Sequence, residues 1–173
     1  MPCAIAKRRG VELDARDLSI LTILSREGRI SKTELARRVN LSPTPCWERL
    51  KRLEEAGLIT GYRAEIALEK LGPSVTVFVV AELERHRAED FRRFEDVVAA
   101  RDEVVAFWAI GGGFDYLMQV VTVDINSYQR LIDGLLARDI GLKRYFTYIV
   151  TKAVKRPVLP PLLTSAAAAK KRA

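Results

Sequence analysis

Asn40-Leu-Ser-Pro-Thr-Pro-Cys-Trp-Glu-Arg-Leu-Lys-Arg-Leu-Glu-Glu-Ala-Gly57 decides how the first third of this chain folds. Asn40 tolerates a left-handed turn, so a helix arriving there stops. Two residues on, Ser42 can cap the next helix. Pro43 takes its first position, where a missing amide costs nothing and the fixed φ already suits. Pro45 still lies in the first turn, and Gly57 closes the helix. A turn of about three residues between two helices is what a helix-turn-helix requires.

Working outward, Ser31-Lys-Thr-Glu34 reads as a capping box opening the preceding helix, which buries Leu35, Ala36 and Val39. Upstream, Asp14 caps a segment with Leu18, Leu21 and Leu24 on one face, ending near Gly28. Downstream, Leu58 to Ile66 has the β-branched and aromatic content of a short wing or linker strand. Leu71-Gly72-Pro73 then breaks the chain.

Beyond Pro73 the pattern changes. Strands are predicted over Val75–Leu83, Val104–Ile110, Tyr116–Val123 and Tyr145–Val154, and helices over Ala88–Ala100 and Ile125–Ala137. The order is that of the split βαβ, with two helices on one face of a four-stranded sheet. The fold class is therefore α+β: an N-terminal winged helix-turn-helix of three helices plus a short wing or linker strand, and a C-terminal ferredoxin-like βαββαβ sandwich with an antiparallel sheet. The expected domains are 12–62 and 74–155, joined by a linker strand at 63–73, with a mobile basic tail at 156–173. A sheet covered on one face only leaves valines and aromatics bare, so at least a dimer is expected through it.

The 173 residues carry a formal charge of +7, and its position is informative. Residues 1–63 hold +5, residues 64–156 hold −1, and residues 157–173 hold +3. A basic first third suggests a polyanionic partner, nucleic acid or a membrane surface. No uncharged run, Val104 to Phe114 among them, reaches the roughly 18–20 residues of a spanning helix, and no apolar signal core follows Met1. Two cysteines and one histidine, His86, exclude a disulfide framework and a single-chain Cys/His zinc site. No metal or cofactor is expected, and a reduced cytoplasm is the default.

With Leu50 at the centre of the buried face of the third helix, Cys46 and Leu53 fall beside it, about 40° and 60° away. Thr44, Pro45, Glu48, Lys51, Arg52 and Glu55 face the other way, with Arg49 on the flank. Arg and Lys donate to guanine edges or phosphates, a hydroxyl to either, and Glu accepts from cytosine. The amides after Ser42 can receive a phosphate, and Arg37 and Arg38 are placed to straddle a backbone. The structural alternative is a solvated helix whose Glu48–Arg52 and Lys51–Glu55 pairs support each other. Trp47, about 60° off centre, reads as packing at the core's edge.

Resemblance discriminates between these. Leu13-Asp-x-x-Asp17, Gly28-Arg-Ile-Ser31, Leu35-Ala-x-x-Val39, the Leu41–Glu54 run with its Ser-Pro-Thr-Pro-Cys, and Gly57-x-Ile59 resemble the DNA-binding half of the Lrp/AsnC family of prokaryotic transcription factors. The second half is similar to that family's ligand-sensing βαββαβ module with its Gly-x-x-Asp-Tyr loop. The resemblance spans roughly Leu13 to Lys155. It implies a homodimer through the sheets, assembly to tetramers or octamers, an amino-acid effector held between dimers, and a cytoplasmic, nucleoid-associated regulator. The run Tyr145-Phe-Thr-Tyr-Ile-Val-Thr-Lys152 resembles a subgroup linked to use of ectoine-type solutes, which points to a diamino acid.

The loop Gly111-Gly112-Gly113-Phe114-Asp115-Tyr116 is the candidate effector site. Glycines let a ligand carboxylate meet bare amides, Asp115 could pair with an ammonium, and Tyr116 could cover the stem. The alternative is a plain hairpin, with Asp115 accepting amides inside it and Tyr116 in the sheet. Gly113 departs from the family, where an acidic or polar residue is common. Asp124, Tyr128, Tyr145, Thr147 and Tyr148 are further candidate pocket walls, or else core and dimer packing. Nothing meets the geometry of a catalytic site, so no enzyme is expected. The competing function is a ligand-blind architectural DNA-binding protein of the same fold.

Overall fold

The computed structural model describes residues 12–155. The expected mobile tail at 156–173 and the first eleven residues, Cys3 among them, lie outside these. The chain divides into two compact units between Glu65 and Ile66.

Unit one holds α1 (Ala15–Leu24), α2 (Lys32–Arg38) and α3 (Pro43–Glu55). Its core joins Ile20, Leu35, Ala36, Val39, Cys46, Leu50 and Leu53. Each large apolar side chain fully buried there is worth roughly 1.5–3 kcal/mol, which a unit this small needs. Asn40 takes φ 53° between α2 and α3, and Gly57 takes φ 68° after α3, as a C-terminal stop demands.

Three local readings need correction. The two-sided capping box is at Asp14 and Asp17, not at Ser31 and Glu34. Ser31 Oγ accepts from the Glu34 amide at 3.2 Å, but the Glu34 carboxylate goes to Arg37 and Arg38, charged donors that outbid a backbone amide. On α1, Asp17 and Ile20 are fully buried while Leu21 and Leu24 are only half-buried. The buried face is rotated because the Asp17 carboxylate is needed inside. The expected wing strand is absent: residues 58–67 are irregular. Among the described residues unit one has no strand to pair with it, and Tyr62 instead turns back to donate to Glu54 on α3 at 2.7 Å.

Unit two runs β1 (Val75–Leu83), α4 (Ala88–Ala99), β2 (Val104–Ala109), β3 (Tyr116–Thr122), α5 (Ile125–Leu136) and β4 (Leu142–Ile149), preceded by a short 3-10 turn at Leu68–Lys70. The antiparallel sheet has the order β2-β3-β1-β4, which is the ferredoxin-like arrangement. β4 begins three residues earlier than expected and ends five earlier, because its register is set by β1, with Val77 opposite Ile149 and Leu83 opposite Leu142.

Directly paired residues share a face of the sheet. Val77, Val79, Ala81, Tyr116, Met118 and Val120 meet Phe94 and Val98 of α4 and Tyr128, Leu131, Ile132 and Leu135 of α5. The other face carries Phe78, Val80, Leu117, Val121, Trp108, Phe146 and Tyr148, and no described element of unit two packs on it. Trp108, Phe146 and Tyr148 are each about half exposed. β1 therefore lies in the middle of the sheet and is buried on one face.

Candidate functional site

Ser42 sits at the N-cap of α3 but makes no side-chain cap bond. The prolines explain this: Pro43 and Pro45 have no N–H, and the Cys46 amide already bonds the Ser42 carbonyl at 3.3 Å. The Thr44 amide is what remains of the first turn, so the expected set of phosphate-binding amides shrinks to one. Ser42 Oγ and the exposed Thr44 hydroxyl are left to bond outward.

The exposed flank of α3 also carries Glu48 and Lys51. The Glu48–Arg52 pair that a solvated helix would make is missing, while Lys51 stands 3.6 Å from Glu55. Arg49 and Arg52 turn the other way. Arg49 Nη1 donates to Asp14 Oδ2 at 2.6 Å and Asp17 Oδ1 at 2.9 Å, and Arg52 Nη2 donates to Asp17 Oδ2 at 2.7 Å. Asp17 is 0% exposed, so its carboxyl oxygens need these partners. The two arginines thus lock α3 onto α1, and their reach toward a partner is limited by that lock. Burial pushes the Asp14 carboxyl up, but the amide N–H of Asp17 and the Arg49 guanidinium outweigh it and hold the group below its ordinary value.

Arg37 and Arg38 stand together at the end of α2, tied by Glu34, and Arg38 also reaches Glu27 at 2.6 Å. Hydrogen bonds from Arg37 and Arg38 pull the Glu34 carboxyl down to about 2. Two cations meet two carboxylates here, so the cluster is neutral as it stands, and Arg37, the most exposed member, is the one placed to exchange Glu34 for a phosphate. Trp47 is half exposed rather than packed away, and the Lys32 ammonium lies 3.2 Å from its ring centroid.

In unit two only Gly112 of the three loop glycines takes a positive φ, 127°. Asp115 Oδ2 accepts the Leu83 amide at 2.8 Å, and its carboxylate meets His86 Nε2 at 3.0 Å. Tyr116 does not cover the loop. It is buried among Phe91, Phe94 and Phe107 and donates to Glu95 Oε1 at 2.8 Å. Strand alternation fixes this, since Tyr116 opposes Ala81 on the helix-covered face. Phe114 instead lies against Phe146, edge to face at 5.5 Å between centroids.

Asp124 caps α5 through the Ser127 amide at 2.6 Å, and Tyr128 is buried with its hydroxyl on Thr147. The glycine loop precedes β3 and Asp124 follows it. At about 3.4 Å per residue this separates them by roughly 20 Å. One chain therefore does not gather the two groups of candidate effector residues. Asp124 lines another concavity, of about 810 Å³, with Leu68, Leu71, Pro73, Glu103 and Val123.

Sequence reasoning missed the Asp17 lock, the Lys32–Trp47 contact and His86. The Asp-x-x-Asp spacing was a readable signal for the first, since an acid three residues after a helix cap can return its bond. His86 had no readable signal, because strand pairing alone brings it to Asp115.

A small basic helical unit with a proline-initiated helix, followed by a half-covered sandwich, defines a helix-turn-helix protein with an attached sensing module. A family model described as winged helix-turn-helix DNA-binding matches residues 13–60, and one described as the Lrp/AsnC ligand binding domain matches residues 76–159. The chain is 53% identical over 147 residues to the transcriptional regulatory protein DoeX of Halomonas elongata, covering 85% of this chain and 93% of the relative. It is 40% identical over 150 residues to the leucine-responsive regulatory protein of Escherichia coli, covering 87% and 92%. Among solved structures, a transcriptional regulator of Neisseria meningitidis in complex with L-Met superposes with TM-score 0.81 at 32% identity, covering 87% of this chain and 97% of that one. The chain belongs to the Lrp/AsnC family of DNA-binding transcriptional regulators.

Proposed function

We propose that this regulator reads its operator with α3 and answers to an amino acid or a close derivative, working in the cytoplasm on chromosomal DNA. In the major groove, Thr44, Glu48 and Lys51 meet base edges, while Ser42, the Thr44 amide, Arg37 and Arg38 take phosphates. Arg49 and Arg52 keep α3 in place. Two copies pair through the uncovered sheet face and present two such helices to half-sites about one helical turn apart. The effector ammonium is met by Asp115 and its carboxylate by the loop around Gly112, completed by a neighbouring copy. Binding one assembly better than another is how it would alter DNA occupancy.

The observation carrying this reading is the split on α3: its arginines are held internally, while hydroxyl, acid and lysine stay outward beside the exposed Arg37 at the end of α2. Fluorescence anisotropy of the upstream duplex against a scrambled duplex tests it. Lys51→Ala should weaken the specific complex more than the scrambled one; an equal loss on both makes Lys51 a phosphate contact only. One observation favours the ligand-blind architectural reading, namely that Asp115 and Tyr116 already have internal partners. A thermal-shift response to any amino acid would reject it.

A further inference from the structure

His86 is the one histidine in the sequence, and strand pairing brings it to the loop that carries the proposed effector site. Its Nε2 stands 3.0 Å from Asp115 Oδ1 and 3.2 Å from Oδ2, while the Leu83 amide holds Oδ2 at 2.8 Å. The imidazole rests against Phe91 of α4 at 5.7 Å between centroids and is 57% exposed on its other side. The charged groups on the elements around it are Asp115; Glu82, Glu84, Arg85 and Arg87 on its own segment; Glu89, Asp90, Arg92, Arg93, Glu95 and Asp96 on α4, with Glu95 held by Tyr116; and Lys143 and Arg144 of β4, both held by Glu82. Arg87 is taken by Glu89 at 3.7 Å.

We propose that His86 is a positioning and specificity residue of the effector site, setting whether Asp115 can accept a ligand ammonium; this rests on the loop being that site. A carboxylate offers about four lone-pair directions, so two internal donors leave room for a third. With its proton on Nε2 alone, His86 donates one neutral hydrogen bond that aims the carboxylate and leaves its charge uncompensated. An ammonium then lands on a full negative charge. Once Nδ1 is also protonated, the imidazolium neutralises Asp115 and repels the incoming cation. Histidine commonly changes charge between pH 5 and 8. At a separation of about 4–5 Å near water, such a repulsion weakens binding about five- to tenfold. The amino acid's own two charges do not change over that range, so the protein supplies the dependence.

The test uses the full-length, untagged protein. A thermal-shift screen of the twenty standard amino acids and L-ornithine selects the strongest binder, which is then titrated calorimetrically at pH 5.5 and pH 8.0. Binding five- to tenfold weaker at pH 5.5 is expected. His86→Gln retains a neutral donor, so it should bind better than His86→Ala at pH 8.0 and show no weakening at pH 5.5. A merely structural histidine would give no such rescue and leave the pH profile unchanged. The same pH dependence in His86→Gln as in the parent overturns the proposal, as does the absence of any binder. Asp115→Asn separates the two claims. If it binds like the parent, the loop reading fails and this inference with it. If it loses binding while His86→Gln keeps the parental pH profile, the loop stands and the role of His86 alone falls.

Discussion

Asp17→Asn probes the lock that holds the reading helix, and its cost can be worked from the contacts. The carboxylate accepts the Asp14 amide at 3.0 Å, Arg49 at 2.9 Å and Arg52 at 2.7 Å. The Asp14 amide and Arg52 share Oδ2, so an asparagine oxygen there keeps both, now without charge, while its N–H₂ meets Arg49 donor against donor. A hydrogen bond to a charged group is worth about 1.5–3 kcal/mol. One of them is lost and the other is weakened by the loss of charge, and the full sum is not expected. Arg49 keeps Asp14 at 2.6 Å, and the arginine side chains, 27% and 48% exposed, recover water. About 2 kcal/mol remains. For a domain this small that lowers the midpoint by roughly 8–16 °C. The assay is thermal and urea unfolding followed by Trp47 fluorescence in a Trp108→Phe background, so that unit one alone reports. A cycle with Arg52→Ala should show coupling of about 1 kcal/mol. A loss under about 0.5 kcal/mol, or strict additivity, would refute the lock.

Other outcomes follow from the same contacts. Lys51→Ala should weaken operator binding by about 1–3 kcal/mol with stability unchanged, whereas Arg52→Ala should lower stability as well; anisotropy and melting together distinguish them. Phe146→Asp, on the uncovered sheet face, should shift sedimentation toward a single-copy species because a charge cannot be buried there unpaired. Glu34 is held down to about 2 by Arg37 and Arg38, so its favourable contribution is present above its ordinary value of 4.5 and vanishes as pH falls toward 2. Glu34→Gln should therefore flatten the loss of unit-one stability between those two pH values, seen in acid titrations by circular dichroism.

Much of the fold was legible because its determinants are local. Pro43, Asn40 and Gly57 act through their own backbone preferences, and α4 and α5 announce themselves by helical spacing of apolar residues. What the sequence left unread is set at long range. The bounds of β4 depend on pairing with β1, and the strand expected after Gly57 lacks a partner among the described residues of unit one. The reading face of α3 was assigned by angle, and angle alone leaves Arg52 outward. A buried acid thirty-five residues earlier draws it in. The effector loop is found by its glycines and Asp115, but Tyr116 and Asp124 are assigned to it by chemical type, without their strand positions. Strand alternation sends Tyr116 into the core, and the length of β3 keeps Asp124 away from the loop.

The most direct measurement of the central claim places an iron chelate on Thr44→Cys and maps where it cuts the upstream duplex. The account predicts two clusters of major-groove cleavage, centred about one helical turn apart and lost with Lys51→Ala. Cleavage spread evenly along the duplex, or confined to the minor groove, would contradict it.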